Sequence, residues 1–170
     1  FAMEWKNFTL IGLGLIGGSI AKAIKKTYPK ARISVLEKDQ HSVEMAISEG
    51  IIEKGLQSIE EIPADTELLF LCTPVEWNRK FLRELAPKLS SHTLLTDVGS
   101  TKRSIMEEAE ALGLSARFCG GHPMAGSESS GYKASDSLLL ENAYYLLTPG
   151  QGFPTEAIEK MKHFLSSIGS

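Results

Sequence analysis

The stretch Phe8-Thr9-Leu10-Ile11-Gly12-Leu13-Gly14-Leu15-Ile16-Gly17-Gly18-Ser19 decides the fold. An apolar run from Phe8 to Leu13 ends in glycines, and Ile20, Ala21, Ala23 and Ile24 then recur at helical spacing before Pro29. That order is strand, tight turn, helix. Within it Gly12, Gly14 and Gly17 fit G-x-G-x-x-G: one glycine allows the turn, one lets backbone approach a pyrophosphate, and one lets helix pack on strand. Leu15 and Ile16 open the helix, where free N–H groups and the helix dipole suit phosphate charge. Alone, the hexapeptide also suits a plain turn, so its context matters. Arg32 to Glu37 (RISVLE) reads as a second strand, and Glu37 ends it about 20 residues downstream of the glycines, where a carboxylate receives ribose hydroxyls. A dinucleotide site follows. Glu37 would repel a 2'-phosphate, which favours NAD over NADP. Lys38 argues the other way, because it can swing toward a phosphate, and Asp39 is a weaker candidate for the ribose, acting from the turn.

Outward from this unit the alternation repeats. Ser42 to Glu49 reads as a helix stopped by Gly50, Leu68 to Cys72 as a strand, Trp77 to Leu85 as a helix and Thr93 to Asp97 as a strand. Thr101 to Leu112 reads as a helix ended at Gly113, Arg117 to Cys119 and Ala143 to Leu147 as short strands, and Thr155 to Ile168 as a terminal helix. Strands alternating with helices predict an α/β fold with a doubly wound parallel sheet, a Rossmann-like NAD-binding domain over residues 1–170. Continuous apolar strands predict burial on both faces. Gly120 to Ser137 lacks periodicity and reads as a long loop, functional or mobile.

Composition narrows the function. The 170 residues are 42% hydrophobic and 23% charged, with a formal net charge of -3 and no block of like charge. That balance suits a globular domain acting on a small molecule, and offers no patch for nucleic acid or membrane. No apolar stretch approaches the roughly 20 residues of a bilayer span, and the N-terminus lacks the order of a signal peptide. Phe1-Ala2-Met3 reads as a scar of expression. Cys72 and Cys119 lie in apolar surroundings without metal-ligand spacing, so they read as buried reduced thiols of a cytoplasmic protein, and no metal is expected.

The chemistry should lie where strands end. Thr73-Pro74-Val75 follows the strand at Cys72, and serves either as a cofactor contact or as a plain strand-to-helix turn. Thr96 to Lys102 (TDVGSTK) and Gly120 to Glu128 (GGHPMAGSE) carry polar residues between glycines. His122, held between Gly121 and Pro123 in a loop, is the candidate acid/base group, whereas His41, His92 and His163 read as structural or solvated. Ser100 either faces substrate or caps the helix from Thr101. Lys102 and Arg103, at the start of that helix, read as solvated.

Together Gly12–Ser19 (GLGLIGGS), Cys72–Val75 (CTPV), Asp97–Lys102 (DVGSTK) and Gly121–Gly126 (GHPMAG, preceded by Gly120) resemble the prephenate dehydrogenase family, in its order and at its spacing. The resemblance implies NAD-dependent oxidative decarboxylation of prephenate or arogenate in tyrosine biosynthesis. It implies that His122 polarises the substrate 4-hydroxyl, that Ser100 holds hydroxyl, histidine and nicotinamide in register, and that Ser127 and Glu128 line the mouth of the site. It also implies that an all-helical C-terminal domain, outside this chain, makes a homodimer and supplies cations for the substrate carboxylates, so that the chain alone is inactive. A hydroxyacid or imine dehydrogenase shares the glycine fingerprint, but GGHPMAG argues against it. A non-catalytic NAD-binding regulatory module would leave His122 and Ser100 idle.

Overall fold

A computed structural model describes residues 5–170, so the reading of Phe1-Ala2-Met3 lies outside the described residues. The strands are β1 (Asn7–Ile11), β2 (Arg32–Leu36), β3 (Lys54–Leu56), β4 (Leu68–Leu71), β5 (Leu94–Asp97), β6 (Phe118–Pro123) and β7 (Tyr145–Pro149). The helices are α1 (Leu15–Thr27), α2 (Gln40–Ser48), α3 (Val75–Leu85), α4 (Arg103–Ala111) and α5 (Thr155–Ser167). One sheet has the order β3-β2-β1-β4-β5-β6-β7. β7 pairs antiparallel with β6, while every other pairing is parallel. The strand order reverses between β1 and β4, and such a switch point opens a crevice at the carboxyl ends of the strands.

β4 shows why the sheet is buried on both faces. Its four residues Leu-Leu-Phe-Leu are all fully buried. Because successive side chains alternate faces, Leu68 and Phe70 enter one core, while Leu69 and Leu71 enter the other. The first core contains Ile20 and Ile24 of α1 and Met161, Phe164 and Leu165 of α5. There the Phe164 ring stacks on Phe8, 5.2 Å between centroids, and meets Trp5 edge-on at 5.6 Å. The second core contains Leu82 and Leu85 of α3 and Ile105 and Ala109 of α4.

Several sequence expectations change. β3 had no periodic signal; three residues suffice because its backbone pairs with Ser34, Val35 and Leu36 of β2. The stretch from Gly120 is not loop throughout: β6 continues through Pro123, because β7 supplies partners as far as Tyr145 opposite Pro123. His122 therefore stands on a strand, opposite Leu146. α4 begins at Arg103, with Lys102 at its N-cap, so Ser100 does not cap it. Asp39 caps α2 by accepting the His41 N–H at 3.2 Å and the Ser42 hydroxyl at 2.8 Å, so its carboxylate serves the start of that helix.

Candidate active site

The glycines of the turn after β1 each meet a separate physical demand. Gly12 has φ of +102°, and a Cβ there would lie 2.8 Å from the Cys72 carbonyl oxygen, so the turn sits directly on the end of β4. A Cβ on Gly17 would lie 2.6 Å from the Gly12 oxygen, which makes this the point of closest packing of α1 on the turn. At Gly14 a Cβ would meet nothing within 4 Å. Internal packing therefore places no demand there, whereas a ligand approaching the backbone would. α1 starts next to it at Leu15 and Ile16, and the first turn contains no acidic residue to compete with a phosphate.

This turn borders a cleft of about 910 Å³. Gly12, Leu13, Gly14, Glu37, Cys72, Thr73 and Pro74 are among its lining residues, drawn from the ends of β1, β2 and β4. That volume lies at the upper end of the ~300–1,000 Å³ typical of ligand sites. The Glu37 carboxylate accepts the Leu13 N–H at 2.7 Å and the Asp39 N–H at 3.0 Å, one on each oxygen. Each oxygen retains a second lone pair for a hydroxyl. The donor set and the open backbone at Gly14 thus fit a dinucleotide.

Thr73 is shaped from α3. Buried Asn78 accepts the Thr73 N–H at 3.0 Å and also its hydroxyl, and donates to the Leu71 carbonyl at 3.3 Å. Val75 opens α3 rather than lining the cleft. Gln57 and Ser58, which follow β3, and Trp77 on α3 also line it. Sequence reading missed Gln57 and Ser58 because β3 itself was not visible.

Ser100 and His122 come next along the sheet. Phe70 and Leu71 of β4 pair with Thr96 and Asp97 of β5, and Thr96 pairs with Cys119 of β6. Ser100 thus lies exposed three residues beyond β5, and His122 half-buried near the carboxyl end of neighbouring β6. Ser127 and Glu128 are exposed in the following loop, where the Ser127 hydroxyl accepts the Ser129 N–H at 3.2 Å. His41, His92 and His163 lie exposed elsewhere.

Between these segments is a buried polar group. Asp97 is fully buried and ion-paired with the ammonium of Lys102, whose side chain is only 18% exposed. Lys102 is therefore not the solvated cation expected from its place before a helix. Arg103, 92% exposed and facing Glu107, is. Burial lowers the Lys102 ammonium from its ordinary range against the opposing pull of Asp97. Burial also pushes the Cys72 thiol far up, helped by the Asp97 charge, and raises Cys119 to about 11. Both cysteines are free. Among the described residues no cluster of three His, Cys, Asp or Glu side chains is arranged to hold a metal, and no helix is long and apolar enough to cross a membrane.

Comparison with known proteins agrees with this geometry. Residues 20–170 match the family described as "Prephenate dehydrogenase, nucleotide-binding domain". The chain is 43% identical over 163 residues to a prephenate dehydrogenase of Bacillus subtilis (strain 168), covering 95% of this chain and 44% of that protein. The crystal structure of prephenate dehydrogenase from A. aeolicus, in complex with hydroxyphenyl propionate and NAD+, superposes with a TM-score of 0.87 at 30% identity, over 99% of this chain and 58% of that one. Synechocystis arogenate dehydrogenase superposes with a TM-score of 0.86 at 30% identity, over 96% and 57%. The chain spans about half the length of these relatives. With the glycine turn, the Asp97–Lys102 segment and the His122 strand all at one sheet edge, the chain belongs to the prephenate dehydrogenase family, residues 20–170 matching its nucleotide-binding domain.

Proposed function

We propose that the protein catalyses NAD-dependent oxidative decarboxylation of prephenate or arogenate, a step in tyrosine biosynthesis, and that residues 1–170 are its NAD-binding domain. The observation that carries this reading is that Ser100, three residues beyond β5, and His122, near the carboxyl end of neighbouring β6, lie at the same sheet edge as the cleft lined by Gly12, Glu37 and Thr73. Family membership and the NAD+ and hydroxyphenyl propionate bound by the A. aeolicus relative support it.

When bound, NAD supplies a hydride acceptor. In this reading Gly12, Gly14 and Gly17 with the Leu15 and Ile16 amides hold the pyrophosphate, Glu37 holds the adenosine ribose, and Thr73 and Pro74 border the nicotinamide side. His122 accepts a hydrogen bond from the substrate 4-hydroxyl and polarises the O–H as hydride leaves the carbon that bears it. Loss of the ring carboxylate as carbon dioxide returns an electron pair to the ring, which becomes aromatic. Ser100 orients the hydroxyl, and Ser127 and Glu128 border the mouth. Since aromatisation drives the reaction, the residues need chiefly to orient and to manage one proton.

The substrate is a dicarboxylate, and the cation within these segments, Lys102, is committed to Asp97. We infer that a C-terminal helical domain supplies the cations, excludes water and makes a homodimer, and that the protein works in the cytoplasm. The test is a steady-state assay of the full-length protein with NAD and prephenate, arogenate or simple hydroxyacids. Turnover of prephenate or arogenate is expected; turnover of hydroxyacids alone would overturn the reading. Residues 1–170 alone should bind NAD with almost no turnover, and robust turnover by them would refute the account of the carboxylates.

A further inference from the structure

One buried carboxylate holds both segments of the reaction site. Asp97, with no exposed surface, accepts the Gly121 N–H on Oδ1 at 3.0 Å. Its Oδ2 accepts the Gly99 N–H at 3.1 Å and also the Lys102 ammonium. Gly99 directly precedes Ser100, and Gly121 directly precedes His122. Each residue assigned to the chemistry is therefore one peptide away from an N–H anchored on the same side chain.

The glycine pair before His122 is explained by the same arrangement. A Cβ on Gly120 would lie 3.0 Å from Met106 Sδ and 3.1 Å from Lys102 Cδ, so Gly120 leaves the slot along which the lysine stem reaches Asp97. A Cβ on Gly121 would lie 2.6 Å from the Asp97 carbonyl oxygen and 3.0 Å from the Tyr145 ring. β6 can thus close onto β5 at this point only without side chains. The two most distinctive sequence segments are two halves of one contact.

We propose that Asp97 and Lys102 are a positioning pair, which sets Ser100 and His122 in register for the reaction proposed above and on which that reading's chemistry depends. The carboxylate is needed because three donors converge on it; the amide of an asparagine would turn an N–H toward an ammonium or a backbone N–H. Lys102 is needed because a buried carboxylate without its cation is costly. Both groups are committed to each other and to the backbone, so they act by position. Lys102 cannot leave to bind a substrate carboxylate without stranding Asp97.

The test uses the full-length enzyme with Asp97→Asn, Lys102→Met and the two combined. Asp97→Asn should lower kcat by about 10²-fold or more, as misplacement of reacting groups does, with KM and the Kd for NAD changed less than about threefold. Removing both charges should recover much of the thermal stability, since an uncompensated buried charge is then gone, while kcat stays low. Recovery of kcat together with stability would show a merely structural pair and overturn the proposal, as would an unchanged kcat in Asp97→Asn. If Asp97→Asn does not fold, Lys102→Met alone carries the same expectations for kcat and KM. Hydrogen exchange on the same proteins separates this proposal from the functional reading. Joint loss of protection at the Gly99 and Gly121 amides supports the shared anchor whatever the substrate, and retained protection at both overturns it.

Discussion

Glu37 and Leu13 are joined by a 2.7 Å hydrogen bond from the Leu13 amide to the carboxylate, so the residue that ends β2 also fixes the glycine turn after β1. The two sides of the nucleotide cleft are thereby tied before any ligand arrives. Glu37 has two tasks, holding the turn and offering oxygens to a ribose, and substitutions can separate them.

Glu37→Gln keeps an acceptor but loses the charge, whereas Glu37→Ala loses both. A hydrogen bond to a charged group is worth about 1.5–3 kcal/mol, so Glu37→Ala should weaken NAD by roughly tenfold or more, and Glu37→Gln by less. Both should narrow the preference for NAD over NADP, because the carboxylate that repels a 2'-phosphate is gone. Calorimetry with each nucleotide measures this. Tighter NADP than NAD in the unaltered protein would contradict it.

Gly14→Ala and Gly17→Ala should behave oppositely. The methyl at residue 17 would press on the Gly12 oxygen and should cost about 1–3 kcal/mol of stability, seen as a lower Tm. At residue 14 the methyl enters open space, so stability should change by less than about 0.5 kcal/mol while NAD affinity falls. Unchanged NAD binding by Gly14→Ala would remove the pyrophosphate from that position.

For His122→Asn in the full-length protein, kcat should fall by about 10² to 10⁴ with NAD affinity little changed, the usual contribution of an acid/base group. Ser100→Ala should cost less, because Ser100 orients rather than moves a proton. Its loop is anchored through Gly99, so its stability should hardly change. A larger kinetic loss for Ser100→Ala than for His122→Asn would reverse the two roles.

Both thiols should be slow toward disulfide reagents in the native protein. Burial favours the neutral thiol, raising Cys119 to about 11 and Cys72 further up, while the thiolate is the nucleophile. Near the ordinary cysteine pKa of about 8.5 the native protein should therefore react far more slowly than the unfolded one, and its reaction should begin only at more alkaline pH. A fast thiol in native protein would contradict this.

Tyr145→Phe should leave stability unchanged or raise it by up to about 1 kcal/mol. The hydroxyl is buried and has no hydrogen-bond partner among the described residues, so its removal ends a desolvation cost and breaks no bond. Urea denaturation provides the measurement. A loss above about 1 kcal/mol would mean that the hydroxyl has a partner in solution.

The sequence by itself determined the alternation of strands and helices, the glycine turn and the carboxylate that ends β2 beside it. Each depends on local pattern: apolar runs such as Leu68–Leu71, helical spacing at Ile20 and Ile24, and a turn that only glycine can make. Tertiary structure decided the rest. β3 exists because β2 pairs with it, and β6 reaches Pro123 because β7 returns antiparallel beside it. Lys102 looked like a solvated residue at the start of a helix, and Asp97 like one polar residue ending a strand. Their pairing depends on a slot that Gly120 opens on the neighbouring strand, 18 residues beyond Lys102 in the chain. No local pattern encodes such a contact, because the energy that fixes it arises only when the sheet brings distant groups together and removes them from water.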